Sequence, residues 1–338
     1  MTFLNGNSLI MKEINTNIVR NALRSERIST KQRLSELTGL SAVTVGSILQ
    51  QLTSTHEVYE DELIPSNGGR PSHGFCYNSE YSHVLVIYAH EYHGQDKLYI
   101  CVANLLGDCI HKERTNAEDI CLNSFEPIID KLIEQYPTIK AIGFGLQAAE
   151  YNKTITFSDY KNLSGTSFTE HYRMRYSVPV SLENDVNLAT IGYCHIHKIE
   201  STAAIVYIYF PQNYPPGAGI YINGSLYKGY NNFEGEIKHM PLDIDWDNTE
   251  YEDFDKTCDI ISKMVITITC MLNPEQFILY GNFLTEAHLN AITWNCKETL
   301  SETFAPKILL ADDYDLDFQT GAIECALDLL KSKLSLSM

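Results

Sequence analysis

Residues 34–52 read LSELTGLSAVTVGSILQQL, and this stretch decides the architecture of the N-terminal part of the chain. Gly39 can adopt the positive φ that ends one helix, and Ser41 can cap the next helix. The apolar residues of that next helix recur at the spacing of one buried face: Val45, Ile48, Leu49 and Leu52. Two short helices joined by such a turn predict a helix-turn-helix with residues 42–52 as the recognition helix.

The surroundings of this stretch extend the same pattern. Apolar residues recur at helical spacing from 14 to 23, and Ser29 followed by Gln32 predicts a capping box at the start of the next helix. The candidates for DNA contact on and beside the recognition helix are Lys31, Ser41, Val43, Thr44, Ser47 and Gln50. Small and polar side chains of this kind can reach phosphates and base edges. The same pattern also fits a three-helix bundle that docks on protein, which is the alternative. The absence of Lys and Arg from the recognition helix slightly weakens the case for DNA.

Residues 55–80 have the pattern of two strands around the loop PSNGGRPS, residues 65–72. A hairpin that follows a helix-turn-helix is a wing, and its Gly-Arg-Pro tip is extended, narrow and cationic. Arg70 is therefore a candidate for insertion into an A/T-rich minor groove, where the potential is most negative. A flexible linker with a solvated arginine is the alternative.

The distribution of charge restricts where nucleic acid can bind. The chain of 338 residues has a net charge of −18, but residues 11–54 contain six basic and three acidic residues. Phosphate would repel the acidic remainder, so only the N-terminal segment suits DNA. No apolar run is long enough to cross a bilayer, and we expect neither a signal peptide nor a membrane partner, which places the protein in the cytoplasm.

The nine cysteines show no spacing typical of a metal site or a disulfide framework. Most of them have apolar neighbours in the sequence. We therefore expect reduced, buried thiols.

From about residue 82, short apolar strands alternate with helices, which predicts an α/β architecture. The strand candidates are residues 84–89, 98–103, 139–146, 178–182, 203–210, 219–222, 276–280 and 308–310. The helix candidates include residues 125–136, 186–197, 255–271 and 318–330. The length of this region suits two actin-like lobes around a cleft, and we detect no internal repeat. The acid-rich segment 243–255 fits a solvated loop better than a cation site.

Two groups of residues in this region are candidates for ligand binding or catalysis. Asn184 and Asp185 follow a predicted strand, where they could bond sugar hydroxyls, and such an Asp would accept the hydroxyl proton in a kinase. Capping of the next helix by Asp185 is the alternative. Glu236 and His239, three residues apart, could reach one ligand, a sugar or a metal. The alternative there is a surface glutamate and a packed histidine.

These segments, taken together, resemble the regulators of the ROK family (repressor, open reading frame, kinase). The N-terminal match is residues 34–52 followed by GGRPS. The C-terminal matches, in the order found in the family, are SVPVSLENDVNLATIG (177–192), GAGIYINGSLYKGYNNFEGEIKHM (217–240), LNPEQFILYGNFL (272–284) and FQTGAIECAL (318–327). The resemblance implies a winged helix-turn-helix joined to a two-lobed, actin-like sugar-kinase domain. It also implies sugar contacts by Asn184, Asp185, Glu236 and His239, and minor-groove contact by Arg70.

The departures from the family pattern bear on catalysis. Family kinases follow their first strand with D-x-G-G-T, whereas this chain has HEYHG at residues 90–94. The second glycine-rich phosphate loop is matched by PPGAGIY at residues 215–221, where prolines remove amide donors. A third position, where the family has Gly-Gly, is Gly281-Asn282 here. Backbone amides that cradle phosphates need such loops, so we expect no kinase activity and regard Asp185 as a vestigial base.

The zinc motif of the family is absent as well. Family members follow the Gly-His-Met segment with C-x-C-G-x-x-G-C, whereas His239 is followed here only by the distant Cys258. A structural zinc needs about four N or S ligands. We therefore expect no metal and no other cofactor.

The sequence thus predicts a winged helix-turn-helix domain at residues 11–80 and an effector-binding, dimerising domain at residues 81–335. We expect a sugar-responsive repressor of carbohydrate genes that binds a palindromic DNA operator, responds to a sugar or sugar phosphate, and forms a homodimer or higher homo-oligomer. The alternatives are a sugar kinase with a fused DNA-binding domain, and a regulator that is controlled by a protein partner and retains a vestigial pocket.

Overall fold

The computed structural model describes residues 3–64, 72–92, 95–116, 120–212, 214–242, 244, 246, 251 and 253–331. The elements of the N-terminal part, which we call the head, are α1 (Phe3–Glu26), β1 (Ile28–Thr30), α2 (Lys31–Thr38), α3 (Ala42–Ser54), β2 (Val58–Ile64) and β3 (Ser72–Tyr77). Its three strands form an antiparallel sheet in the order β1-β3-β2. This arrangement is a winged helix-turn-helix. The tip of the wing, including Arg70, lies outside the described residues.

The turn between α2 and α3 forms as the sequence predicts. Gly39 has φ 69°, and its N–H donates to the carbonyl oxygen of Ser35. The side chain of Ser41 caps α3 by accepting from the backbone N–H of Thr44 at 3.1 Å. The four residues of the predicted inner face are buried, namely Val45, Ile48, Leu49 and Leu52. Local sequence therefore determines this motif.

Two details of the head differ from expectation. The cap of α2 is Thr30, whose hydroxyl accepts from the N–H of Arg33, and not Ser29. Ser29 is buried within β1, and pairing of β1 with β3 delays the start of the helix by one residue. In addition, α1 begins at Phe3, before the expected domain start at residue 11.

The remainder of the chain, which we call the body, contains two lobes. The elements of the first lobe are β4 (His83–Tyr92), β5 (Gln95–Asn104), β6 (Cys109–Asn116), α4 (Glu126–Gln135), β7 (Ile139–Gly145), β8 (Ala148–Tyr151), β9 (Thr154–Ser158), α5 (Phe168–Tyr176), β10 (Val180–Glu183) and α6 (Asp185–Ile196). Its main sheet has the order β10-β7-β4-β5-β6, in which β10, β7 and β4 are parallel. The edge strand β6 is mostly polar, which is why the apolar pattern of the sequence missed it.

The elements of the second lobe are β11 (Ile205–Tyr209), β12 (Gly217–Ile222), β13 (Ser225–Leu226), α7 (Phe254–Leu272), β14 (Gln276–Tyr280), α8 (Glu286–Leu300), β15 (Lys307–Leu310) and α9 (Tyr314–Asp328). Its sheet has the order β13-β12-β11-β14-β15. When only the five strands of each main sheet are numbered in chain order, both sheets follow the order 3-2-1-4-5. The lobes are therefore two copies of one topology, although the sequence shows no internal repeat. The structure therefore has the two-lobed, actin-like architecture that the sequence predicted.

Helices α6 and α9 cross so closely that only glycine fits at the contact. A Cβ atom on Gly192 would lie 1.8 Å from the carbonyl oxygen of Asp317, and one on Gly321 would lie 1.8 Å from that of Leu188. Both helices belong to a hydrophobic cluster that continues into the head. Separate clusters lie around α4 and α5 in the first lobe and around α7 and α8 in the second. The α6–α9 pair therefore packs in the same core as the head.

The expectation of nine reduced thiols is wrong for one pair. Cys101 on β5 and Cys109 on β6 form a disulfide with an S–S distance of 2.10 Å. The β5–β6 hairpin brings the two cysteines together, and no sequence motif indicates the pair. A register shift between the two strands places Cys109 opposite Ala103, two residues from Cys101. The remaining thiols are also not uniformly buried, since Cys121 and Cys270 are exposed.

In the described part of the chain, no helix combines the length and apolar character that a membrane crossing requires.

Candidate functional site

A solvent-open cleft with an empty volume of about 830 Å³ lies between the two lobes. The first lobe contributes residues that follow β7 and β10, where these parallel strands end. The second lobe contributes the segment before β12 and a loop of residues 228–238. The carboxyl ends of parallel strands are the usual position of ligand sites in α/β proteins. Its polar lining residues include Gln147, Glu150, Asp159, Glu183, Asn184, Asp185, Asn187, Lys228, Asn232, Glu234, Glu236 and Lys238.

Asp185 lies in this cleft at the first turn of α6 and is only 3% exposed. Its Oδ1 accepts from the N–H of Val186 at 2.9 Å, and Gln147 Nε2 approaches its Oδ2 at 3.5 Å. Burial raises the pKa of Asp185 to about 6, and the nearby charge of Asp159 adds to this rise. A carboxylate held in this way can accept a hydrogen bond from a ligand hydroxyl.

Asn184 lines the cleft, but its side chain also has a structural role. It is the N-cap of α6, and its Oδ1 accepts from the N–H of Val186 at 2.9 Å. Capping, which was the alternative reading for Asp185, is therefore performed mainly by Asn184. The amide group of Asn184 retains its two N–H donors for other partners.

The structure brings Glu236 to the cleft but not His239. Glu236 is half-buried there, and its Oε2 lies 3.5 Å from Lys238 Nζ. His239 is exposed, stacks on Phe233 with ring centroids 5.6 Å apart, and is not among the lining residues. In the intervening turn Ile237 is buried. Glu236 and Lys238 on either side of it line the cleft, whereas His239 does not.

Several lining residues escaped the sequence analysis. Asn187, in the first turn of α6, donates to Glu183 Oε1 at 3.0 Å and to Glu234 Oε1 at 3.4 Å. Lys228 forms an ion pair with Glu183. The Asn in the segment ENDVN was a usable signal for Asn187. No local pattern distinguishes Lys228 or Glu234 from ordinary surface charges, because only the fold brings their loop to the end of β10.

A glycine holds this loop against the second lobe. Gly235 has φ 80°, and its carbonyl oxygen accepts from the N–H of Ala218 at 2.9 Å. A Cβ atom on Gly235 would lie 1.7 Å from the carbonyl oxygen of Ala218. The close approach therefore fixes the position of Glu234 and Glu236 on either side.

Aromatic rings fill the neighbouring space between the lobes. Tyr314 is only 1% exposed and stacks on Tyr209 and Tyr280, with ring centroids 4.1 Å and 5.2 Å away. His90 of the first lobe meets the edge of Tyr314 at 5.9 Å. The space at Gly281 is also occupied, since an added Cβ atom there would lie 3.1 Å from Phe283. The strand β4 continues through His90 to Tyr92 and pairs with β5, where the sequence lacks a glycine loop.

The head presents a second candidate site along α3. Val43 is 84% exposed, Ser47 and Gln50 are exposed, and Thr44 is half-buried with its hydroxyl 2.8 Å from that of Ser41. The exposed Lys31 comes from α2, but its Cδ would lie only 3.2 Å from a Cβ atom on Gly46. Lys31 therefore supplies a cation to the face of a helix that has no Lys or Arg of its own.

The described residues contain no group of three or more His, Cys, Asp and Glu side chains that could hold a metal ion. Cys258 is buried in the core of the second lobe.

Comparisons with known proteins agree with this architecture. A model of the ROK family matches residues 92–258. The chain is similar to the xylose repressors of Bacillus spizizenii, with 24% identity over 292 residues, and of Bacillus subtilis, with 24% identity over 293 residues. Each match covers 83% of this chain and 74% of the repressor. The fold is also similar to the crystal structure of a ROK-family transcriptional regulator, a homologue of the Escherichia coli MLC protein, with a TM-score of 0.71 and 15% identity, covering 95% of this chain and 98% of the regulator.

Proposed function

Since the chain contains a ROK-family domain, we propose that it is a transcriptional repressor whose affinity for DNA changes when a sugar occupies the cleft between the lobes. One observation carries the proposal: a single chain joins a winged helix-turn-helix to a polar cleft at the strand ends of a sugar-kinase-like body. Its relatives with the name xylose repressor support the same assignment.

In this proposal α3 lies in the major groove. Val43, Ser47 and Gln50 face the bases, while Lys31 contacts phosphate. Arg70, at the tip of the wing, enters the adjacent minor groove. Two heads of a homodimer would bind a palindromic operator with half-sites about one or two helical turns apart.

We also propose that the body has no kinase activity and needs no cofactor. The stack of Tyr209, Tyr280 and Tyr314 supports this, because aromatic rings offer no amide donors to a triphosphate. Of these rings, those of Tyr209 and Tyr314 are buried. The buried Asp185, the position of the base in a kinase, serves here to contact the effector.

The DNA-binding part of the proposal is tested by the substitution Arg70→Ala. A binding site is first selected from random duplex DNA with the full-length protein, and affinity is then measured by fluorescence anisotropy at fixed salt. Loss of one minor-groove arginine should weaken binding by about 1–3 kcal/mol, most strongly at sites with A/T-rich flanks. Equal affinity of Arg70→Ala and wild type on every flank would contradict it.

The regulatory part is tested by adding aldoses to the preformed complex with DNA. An effector should lower the DNA affinity of wild type, whereas Asp185→Ala should bind DNA normally and ignore the sugar. Turnover of ATP in the presence of the same sugar would instead favour a kinase with a DNA-binding head.

A further inference from the structure

The cleft presents buried hydrogen-bond acceptors that nothing in the described residues satisfies. Four of its lining residues have a side-chain oxygen without a hydrogen-bond partner: Gln147 Oε1, Glu150 Oε1, Asn187 Oδ1 and Glu234 Oε2. Buried polar atoms in native proteins are nearly always paired, because an unpaired one is strongly unfavourable. Four of them around one cleft indicate a site that is completed by a ligand with several donors.

The two amide groups are held in the orientation that leaves their oxygens unpaired. Gln147 Nε2 faces Asp185 Oδ2 at 3.5 Å, and Asn187 Nδ2 donates to Glu183 Oε1 at 3.0 Å. Rotation of either amide by 180° would point its oxygen at a carboxylate, which has no proton to give. All four unpaired atoms are therefore acceptors.

The charge of the cleft excludes anions. Its described lining contains six carboxylates, those of Glu150, Asp159, Glu183, Asp185, Glu234 and Glu236, and two lysines. Both lysines are engaged, because Lys228 pairs with Glu183 and Lys238 Nζ lies 3.5 Å from Glu236 Oε2. Lys238 also lies over the ring of Phe157 at 4.3 Å. Phosphate groups are normally bound by uncommitted Arg or Lys side chains or by helix N-termini, and here the start of α6 carries Asp185.

We infer that the effector is a non-anionic polyhydroxylated ligand whose hydroxyl groups donate to Gln147, Glu150, Asn187 and Glu234. The inference rests on the proposed function of the cleft as the effector site. It rejects the sugar-phosphate alternative. It also assigns contacts with the effector to four residues other than Asn184, Asp185, Glu236 and His239, which the family resemblance implied.

The ligand class is tested by calorimetry on the full-length protein. The panel contains the C5 and C6 aldoses, D-glucosamine, and the phosphate esters of the same aldoses. We expect at least one uncharged or cationic sugar to bind, and its phosphate ester to bind at least tenfold more weakly. A phosphate ester that binds as tightly as its parent sugar would overturn the inference.

The named residues are tested by Glu234→Gln and, independently, by Glu150→Gln. Glu234→Gln keeps the size of the side chain and an oxygen for Asn187, but it replaces the unpaired acceptor by a donor. Each variant should weaken binding of the parent sugar about tenfold or more, as expected for a hydrogen bond to a charged group. Glu134→Gln, at an exposed position on α4, is the matched control and should bind as wild type does. Wild-type affinity in both cleft variants would refute the assignment of these residues.

The two proposals fail in different ways. If a phosphate ester binds and releases DNA, the protein remains a sugar-responsive repressor and only the inferred ligand class is wrong. If no member of the panel binds or changes DNA affinity, both the sugar response and the inferred class are refuted.

Discussion

At the scale of single residues, Asp185 shows how burial connects stability with binding. Its carboxyl group is almost fully buried, and its pKa is raised to about 6, whereas an unfolded Asp titrates near about 4. Between these values the folded protein holds a proton that the unfolded chain has lost. The favourable contribution of the protonated group is therefore complete below about pH 4 and is lost as the pH rises through 6.

Asp185→Asn should consequently raise stability above pH 6. The substitution removes a buried charge whose cost is about 2–3 kcal/mol at neutral pH, since two pKa units correspond to about 2.7 kcal/mol. Urea unfolding at pH 4.5 and pH 7.5 measures this effect. The gain should be present at pH 7.5 and largely absent at pH 4.5, and the variant should fail to bind effector. Equal gains at both pH values would show that the charge of Asp185 is not the cause.

At the scale of elements, replacing glycine by alanine is expected to have opposite effects on stability in α6 and in α3. Gly192→Ala in α6 places a methyl group 1.8 Å from the backbone oxygen of Asp317, which cannot move away without separating α6 from α9. We expect a loss of about 3 kcal/mol in the free energy of unfolding, since overpacking against backbone is poorly tolerated. Chemical denaturation measures it, and a loss below about 0.5 kcal/mol would mean that the crossing is looser than described.

Gly46→Ala in α3 should stabilise the head instead. The added methyl group meets only the flexible stem of Lys31, 3.2 Å away, and alanine is favoured over glycine within a helix by about 1 kcal/mol. Displacement of Lys31 should at the same time weaken DNA binding several-fold. Thermal unfolding and fluorescence anisotropy report the two effects separately. Unchanged affinity for DNA would argue against a role of Lys31 on this face.

At the scale of the whole molecule, a polar contact joins the body to the head. Glu324 on α9 lies 4.0 Å from Arg24 on α1 and 3.7 Å from His195 on α6. Both α6 and α9 begin beside the cleft, at Asp185 and Tyr314. A ligand in the cleft can change the DNA affinity of the head only through contacts that differ between the ligand-free and ligand-bound states. Glu324 lies where α6 and α9 reach α1, so its contacts are candidates for this role.

Glu324→Gln should therefore reduce the regulatory response without affecting either binding site. The affinity for the effector should stay as in wild type, while the effector-induced change in DNA affinity should shrink about threefold or more. The ratio of DNA dissociation constants with and without saturating sugar measures this. Glu302→Gln, which breaks a surface pair with Lys297 in the second lobe, is the control. An unaltered ratio in Glu324→Gln would exclude this contact from the coupling.

Two predictions from the sequence concern residues outside the described part of the chain. The DNA contact assigned to Arg70 stays a prediction, because residue 70 lies outside the described part of the chain. Much of the acid-rich segment 243–255 lies outside it too.

Local signals in the sequence were sufficient to predict several elements of the fold. The cap at Ser41, the turn at Gly39 and the buried face of α3 depend on residues within one or two helical turns of each other, and so does strand β14, predicted without error. The order of motifs along the chain also determined the two-lobed fold. Such signals need no knowledge of distant contacts.

The set of side chains that share the cleft depends on the packing of elements that are distant in the sequence. Glu234 and Lys228 reach Glu183 and Asn187 across more than forty positions of sequence, and a single turn sends His239 away from Glu236. The same holds for the Cys101–Cys109 disulfide and for the packing of Tyr314 against Tyr209. Hydrogen bonds and ring contacts depend on distances of a few ångströms between separate elements. Those distances arise from strand register and helix crossing, which no local pattern in the chain encodes.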